Sequence, residues 1–314
     1  SQLEIYDGNQ WTGVLATSPE LRTGGTRGVF MGGHNEPDPS QVYSTIDYIT
    51  LSTLGNALAF GDLISSEQEG SAFSSSTRGF YFGGDPAETV IETIVFASAG
   101  SQTATSFGNL TANSKTGIGL ADSTRGVAYL NNGDTINYVT MASTGTAKDF
   151  GNASFSGGAN GMGCASPTRG IIGGVYVSGY VNTLEYLTIS TTSNTADFGD
   201  LTSTRYGGAG ASNAVRGVFM SGYNPGGVTS IIDFINIASL GDAVDFGDVV
   251  SPVYLTAGCS SSTRMVMGGG LEPPNIINEI QYITIPSTAN ALDFGDLSQK
   301  RRHLESCSNG HGGL

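Results

Sequence analysis

An alternating pattern of apolar and polar positions recurs along the chain and predicts β-strands. It is clearest over residues 46–51, 232–237 and 280–285, where isoleucine, tyrosine and phenylalanine are interspersed with single polar residues. Enrichment in β-branched and aromatic residues at a period near two is typical of a strand. No long stretch shows the 3.6-residue period of a helix, so the pattern indicates an all-β chain.

Two further motifs flank this strand and show that the unit is repeated. An arginine and an apolar run precede each copy, at Arg27, Arg78, Arg125, Arg169, Arg216 and Arg264. A Phe-Gly-Asp or Phe-Gly-Asn step follows each copy and ends at Asp62, Asn109, Asn152, Asp200, Asp248 and Asp296. Consecutive arginines lie 44 to 51 residues apart, so the chain holds six copies of one unit.

Each copy resolves into four short strands. Strand A is rich in glycine, strand B follows the arginine, strand C is the alternating segment and strand D carries the Phe-Gly step. Four strands at this period predict a blade of a β-propeller, whereas a solenoid is less favoured because its end repeats differ from the inner ones. The first copy begins at strand B, and residues 302–308 resemble an extra strand A. We therefore predict that the C-terminal strand completes blade 1 beside residues 29–33.

The repeated unit resembles a kelch repeat. In that family a Gly-Gly pair ends strand B, a tyrosine lies in strand C and a large aromatic residue lies in strand D. The pair stands here at 32–33, 83–84, 173–174 and 268–269, but not at 131–132 or 221–222, and strand D carries Phe rather than Trp. The resemblance covers about residues 22–314 and implies an all-β, six-bladed, kelch-like β-propeller with four-stranded blades.

A second resemblance concerns the start of the chain. Residues 3–11, Leu-Glu-Ile-Tyr-Asp-Gly-Asn-Gln-Trp, are similar to a segment of bacteriophage tail-fibre and other virion proteins. The Thr-Arg-Gly-Val-Phe and Asp-Phe-Gly-Asp repeats are similar to those of tail fibres from marine and cyanobacterial phages. This resemblance implies that residues 1–21 end a preceding fibre-like β module or linker and that residues 22–314 form the propeller. It also implies an extracellular virion appendage, assembled with other tail proteins and usually homotrimeric.

Charge and composition narrow the range of partners. The net charge is −14, which provides no general attraction for nucleic acid or for anionic membranes. No apolar run approaches the ~20 residues that span a bilayer, so we predict no membrane insertion. Cys164, Cys259 and Cys307 lack the spacing of a metal site or a redox pair. They fall in strand A, where we expect them to pack near the central channel.

The repeated arginines and the strand D Asp or Asn residues are predicted to be structural. We expect each arginine to bind backbone carbonyls, or the strand D residue, of its own blade. Because Asp and Asn share one position, a hydrogen-bonded turn fits that position better than an ion pair. The histidines and arginines match neither a copper oxidase nor a sialidase, and we predict no catalytic residue, cofactor or metal. Residues 34–40 offer oxygen ligands for calcium without the usual spacing, so a solvated loop is favoured.

Variation is concentrated in the B–C and D–A connections, which this topology places on one face. A rigid scaffold with variable loops suits recognition. Tyrosines in these loops can stack on sugars or anchor a protein, and arginines can bind phosphate or carboxylate on a glycan. The candidate receptor-binding residues are His34, Tyr43, Tyr176, Tyr180, Arg205, Tyr206, Tyr223, Tyr254, Arg301 and Arg302.

Together these features favour a virion structural protein, namely the propeller domain of a tail fibre or related appendage that binds a host-surface glycan or protein. Two alternatives stay open. The first is a purely structural module that decorates a capsid or connects other parts without binding a receptor. The second, less favoured, is a polysaccharide-degrading enzyme.

Overall fold

The computed structural model describes residues 3–6, 11–14, 26–35, 41–98 and 102–314. These residues form β-strands joined by turns and loops. No helix long and apolar enough to cross a membrane occurs among them. The strands of the first half are β1 (Leu3–Tyr6), β2 (Trp11–Val14), β3 (Arg27–Met31), β4 (Thr45–Thr50), β5 (Leu58–Asp62), β6 (Ser71–Ser74), β7 (Arg78–Phe82), β8 (Glu88–Val95), β9 (Gln102–Thr103), β10 (Thr105–Ser114), β11 (Ile118–Ala121), β12 (Arg125–Tyr129), β13 (Thr135–Thr140) and β14 (Lys148–Asn152).

The remaining strands continue the same pattern. They are β15 (Met162–Ala165), β16 (Arg169–Gly173), β17 (Thr183–Thr188), β18 (Ala196–Asp200), β19 (Ala209–Ser212), β20 (Arg216–Met220), β21 (Tyr223–Asn224), β22 (Gly227–Val228), β23 (Ile231–Asn236), β24 (Val244–Asp248), β25 (Ala257–Ser260), β26 (Arg264–Gly268), β27 (Leu271–Glu272), β28 (Asn275–Ile276), β29 (Glu279–Thr284), β30 (Leu292–Asp296) and β31 (Glu305–Ser308).

Six antiparallel sheets stand in a ring and make a six-bladed β-propeller, which confirms the predicted fold. Blades 2, 3 and 4 are the sheets β6-β7-β8-β10, β11-β12-β13-β14 and β15-β16-β17-β18, each in the order strand A to strand D. Blades 5 and 6 are β19-β20-β23-β24 and β25-β26-β29-β30. Blade 1 is β31-β3-β4-β5, with β9 added in parallel beside β5.

The two ends of the ring are joined as predicted. Strand β31 pairs antiparallel with β3, so that Val29 lies opposite Cys307 and Met31 opposite Glu305. The last strand A of the chain therefore belongs to the first blade. Separately, β1 and β2 pair as a hairpin within the segment expected to be a fibre-like module or linker. The expected boundary at residues 21–22 and most of the calcium-loop candidate, residues 36–40, lie outside the described residues.

The hydrophobic core consists of six clusters, one between each pair of neighbouring blades. Each strand B is covered on both faces by adjacent blades, which is why it reads as a continuous apolar run such as Val29, Phe30 and Met31. The strand D phenylalanine, for example Phe60, is fully buried in such a cluster. Burial of each phenylalanine stabilises the ring by roughly 2–3 kcal/mol.

The repeated arginines link neighbouring blades, so the expectation that each one binds its own blade is wrong. Arg169 Nη1 donates to the carbonyl of Ile237 at 2.7 Å, and Arg264 Nη1 donates to the carbonyl of Leu51 at 2.7 Å, in both cases in the next blade. Arg27, Arg78, Arg125 and Arg216 do the same. Five of the six guanidinium groups also lie over the strand C aromatic ring of their own blade, at 4.5 to 5.2 Å from its centroid.

The glycine after the repeated arginine is explained by the neighbouring blade. A Cβ added at Gly28 would lie 2.6 Å from Cys259 Sγ, and one at Gly217 would lie 2.6 Å from Cys164 Sγ. In blade 6 this position is Met265, and the facing core position of blade 5 is the small Ala211. At each of these boundaries a larger residue on one blade faces a small residue on the other, which keeps the packing close.

Candidate functional site

The face that carries the B–C and D–A loops, here called the loop face, brings together five of the candidate residues. Tyr176, Tyr180, Tyr206, Tyr223 and Tyr254 form one cluster over blades 4 to 6, and we call it the tyrosine platform. Neighbouring ring centroids lie 4.8 to 6.3 Å apart. Tyr176 is 41% exposed, and the other four side chains are half-buried. The platform is thus a continuous aromatic surface that solvent reaches.

Paired backbone segments hold the platform in place. The amides of Tyr206 and Tyr223 donate to each other's carbonyls at 3.1 and 2.8 Å. Tyr176 makes the same reciprocal pair with Ala159, and Tyr254 makes it with Leu271. Each pair joins a D–A loop to the B–C loop of the blade that this D–A loop leads into. The aromatic rings therefore project from a hydrogen-bonded base rather than from unsupported loop tips.

The phenol of Tyr206 stays protonated at neutral pH. Burial raises the pKa of Tyr206 above its usual value, and the surrounding phenols of Tyr254, Tyr180, Tyr223 and Tyr176 raise it further. A protonated phenol donates one hydrogen bond and also accepts. The platform therefore combines apolar ring surface with hydroxyl groups of both hydrogen-bonding kinds.

Arg205 lies beneath the platform, and its predicted exposure to a ligand is wrong. Its side chain is completely buried, and Nη1 lies 2.8 Å from Asp233 Oδ2. Nη1 also donates to Ser203 Oγ and Nη2 donates to the carbonyl of Phe219. A buried guanidinium must be paired in this way, because an unpaired charge in the core is very costly. Arg205 therefore supports the platform and presents no charge to solvent.

Arg301 is buried in the same manner at the junction between blades 6 and 1, so its predicted exposure is also wrong. Arg301 Nη2 donates to Asp47 Oδ2 at 2.9 Å. Its Nη1 donates to the carbonyls of Gly32 and Thr45. Burial lowers the pKa of both Arg205 and Arg301, and the paired aspartate opposes that shift in each case.

Asp47 and Asp233 belong to a repeated polar position that the sequence reading missed. The second residue of the strand C core is polar in every blade and at most 3% exposed, as Asp47, Glu92, Asn137, Glu185, Asp233 and Gln281. Each accepts a hydrogen bond from a backbone amide shortly after the Phe-Gly step of the preceding blade. The sequence did contain a signal for this position, because a polar residue recurs six times at the same place in the strand C pattern.

The other half of the loop face carries charged groups, several of which are paired with one another. Lys115 Nζ lies 3.2 Å from Glu69 and 3.4 Å from Asp85. Arg302 Nε donates to His34 Nε2 at 3.1 Å, and the ring of His34 stacks on that of His303. The candidates His34 and Arg302 therefore contact each other, away from the platform.

Tyr43, the remaining candidate, also lies apart from the platform. Its hydroxyl donates to Gln41 Oε1 at 3.3 Å, in the B–C loop of blade 1.

A groove extends from the edge of the platform. It has a volume of about 350 Å³ and lies between the B–C loops of blades 5 and 6, where Tyr223 forms one side. Pro252 and Pro273 supply apolar walls, and Glu272 supplies an exposed carboxylate. The groove lies among the variable B–C and D–A connections, but Pro252, Glu272 and Pro273 were not among the candidate residues.

The central channel is narrow and is occupied at one end by the C-terminal residues. Two cavities of about 70 Å³ each lie along it, lined by strand A residues of all six blades. Cys164, Cys259 and Cys307 are free, buried and beside the second cavity, as expected. Beside them, His311 Nε2 donates to the carbonyl of Ser74 at 2.8 Å. Burial lowers the pKa of His311, which keeps the ring neutral.

A scan against models of known protein families finds no match, and a search of curated proteins finds none either. Within the described residues, no group of three or more His, Cys, Asp or Glu side chains is arranged to hold a metal ion.

Proposed function

We propose that this chain is a recognition domain without catalytic activity, which binds a receptor on a host-cell surface through the tyrosine platform. The observation that carries the proposal is the convergence of five tyrosines on one face of a repetitive scaffold. Their positions are not required by the repeat. Tyr176 and Tyr223 share one bridged position, which holds His34 in blade 1 and Leu271 in blade 6. Tyr206 and Tyr254 share the partner position, which holds Ala159 and Arg302 at other blades. Tyrosine supplies a large and rigid contact area at low cost in conformational entropy, which suits a binding surface.

The cellular setting of the proposal comes from the resemblance of residues 3–11 and of the repeats to phage tail fibres. On that basis the domain is part of a virion appendage, outside the cell, in contact with other tail proteins. A homotrimer stays a prediction of the same resemblance. The enzyme alternative would need converging catalytic groups, and the platform offers only phenols.

Binding of the purified, fluorescently labelled domain to a panel of cultured marine cyanobacteria tests the proposal. We expect at least one strain to bind the domain, and the double substitution Tyr180→Ala with Tyr223→Ala to remove most of that binding. Leu240→Ser is the matched control, because Leu240 is 57% exposed on a C–D turn of the opposite face. The connector alternative predicts that no strain binds, or that binding is equal in all three proteins.

A further inference from the structure

We infer that the ligand of the tyrosine platform is a neutral glycan. This inference rests on the proposed recognition function and names the chemical class of its receptor. It follows from three properties of the part of the loop face that the structure describes: the loops that carry the five tyrosines present no exposed cation, the tyrosine rings pack closely, and a groove continues from Tyr223.

The charges around the platform disfavour an anionic ligand. Within the loops that carry the five tyrosines, residues 175–182, 203–206, 223–230 and 251–254, Arg205 is the only charged residue. Its charge is buried and paired with Asp233. The nearest charged group on the groove is the carboxylate of Glu272, and the whole chain carries −14. Phosphate, sulfate or uronate groups would therefore meet repulsion without a partner.

The packing of the rings disfavours a cationic ligand. A quaternary ammonium ligand is recognised by a cage of aromatic rings that surround it. Here the centroids of Tyr223 and Tyr254 are 4.8 Å apart and those of Tyr176 and Tyr206 are 5.3 Å apart, so the rings contact each other. The cluster is a surface and encloses no space for an ammonium group.

The same surface suits the flat apolar side of a sugar ring. The C–H groups of a pyranose can lie against the tyrosine rings, while its hydroxyls bond to the phenols at their edges. The groove beside Tyr223 can take a second sugar, with Pro252 as an apolar wall and Glu272 as an acceptor for sugar hydroxyls. Because reciprocal hydrogen bonds already fix the backbone of these loops, binding costs little conformational entropy.

Isothermal titration of the purified domain with defined oligosaccharides tests the inference. Cellotetraose, mannotetraose and a neutral galactan fragment are compared with tetragalacturonic acid. We expect binding of at least one neutral sugar, weakened about tenfold or more by Tyr223→Ala and unchanged by Leu240→Ser. The affinity should change little between low and high salt, since no ion pair is involved. Glu272→Lys should add binding of tetragalacturonic acid that the natural domain lacks.

Two outcomes would overturn the inference. One is binding of the acidic oligosaccharide alone. The other is cell binding that is lost with the tyrosine substitutions yet survives periodate oxidation of the cell-surface sugars, since the receptor would then be a protein. In that second case the proposed recognition function stands and only the ligand class is wrong. If no cell and no sugar is bound, both proposals fail together.

Discussion

The junction between blades 1 and 2 holds two carboxyl groups at the positions where two other junctions, between blades 4 and 5 and between blades 6 and 1, hold an arginine and an aspartate. Glu67 occupies the position in this junction that Arg301 occupies between blades 6 and 1. The equivalence is shown by the backbone, because the amides of Gly33 and Gly270, each just after a strand B, donate to the carbonyls of Glu67 and Arg301. Opposite Glu67 stands Glu92, at the position of Asp47. Both side chains are buried, with 6% and 3% exposure. Glu67 Oε1 accepts from Ser65, and the backbone amide of Ile64 donates to Glu92 at 2.9 Å.

The pKa of both carboxyl groups is raised. Burial raises the pKa of Glu92 from 4.5 to about 7, the hydrogen bond from Ile64 opposes this, and the charges of Glu67 and Glu88 add to it. Burial likewise raises the pKa of Glu67, with a contribution from Asp85. A carboxyl group whose pKa is higher in the folded state than in the unfolded chain binds its proton more tightly when folded. The resulting stability is complete below pH 4.5 and is lost as the pH rises through 7.

We predict that Glu92→Gln removes most of this pH dependence. The amide keeps an acceptor for the Ile64 amide, as Gln281 does for Val250 at the equivalent place. At about 1.36 kcal/mol per pKa unit, the shift of Glu92 corresponds to at most ~3.4 kcal/mol. Water near the loop screens part of the charge, so we expect the variant to be about 2 kcal/mol more stable at pH 8 and about equal at pH 4.5.

Thermal and urea unfolding between pH 4.5 and 8 provide the measurement. A stabilisation of this size should raise the Tm at pH 8 by about 3 °C. Gln281→Glu is the matched test in the opposite direction, since it should introduce a new decline in stability towards pH 8. If wild type and Glu92→Gln show parallel curves across this range, the reasoning about the junction is refuted.

Further predictions concern the contacts between blades. Arg205→Val should lower the free energy of unfolding by about 3–5 kcal/mol by leaving Asp233 buried and unpaired, and adding Asp233→Gln should restore most of it in urea unfolding. Gly217→Ala should cost about 1–3 kcal/mol through its clash with Cys164, and Cys164→Ala in the same chain should reverse the loss of Tm. Deletion of residues 305–314 should lower the Tm of the whole ring in one transition, because it removes a strand of blade 1; an unchanged Tm would contradict closure.

Much of the fold could be predicted because it is encoded by short local patterns, each of which occurs six times. The alternating strand C, the buried strand B and the Phe-Gly step each report the surroundings of a few adjacent residues, and repetition confirmed each one. Ring closure could also be predicted from local patterns. The first copy lacks a strand A and the C-terminal segment is a strand A without a strand B, so the last strand fits the empty position in blade 1. The candidate tyrosines were found for a related reason, as aromatic residues in loops where the repeat does not demand them.

The contacts that the sequence did not reveal join residues in different blades. The carbonyl that Arg264 binds belongs to Leu51, far away along the chain. From the sequence Arg205 resembles an exposed loop arginine, but in the structure its charge is paired with Asp233 of the blade that follows. No local pattern encodes such pairings, because they depend on which faces two sheets turn towards each other.

The sequence by itself determined the all-β class, the number of blades, their closure by the C-terminal strand and the face on which variation is concentrated. Local periodicity and repetition are sufficient for these features. Only the tertiary structure decided that the loop arginines are buried, that five tyrosines from three blades form one platform, and that two glutamates share one junction. These depend on the distances between blades, which are set by packing around the ring.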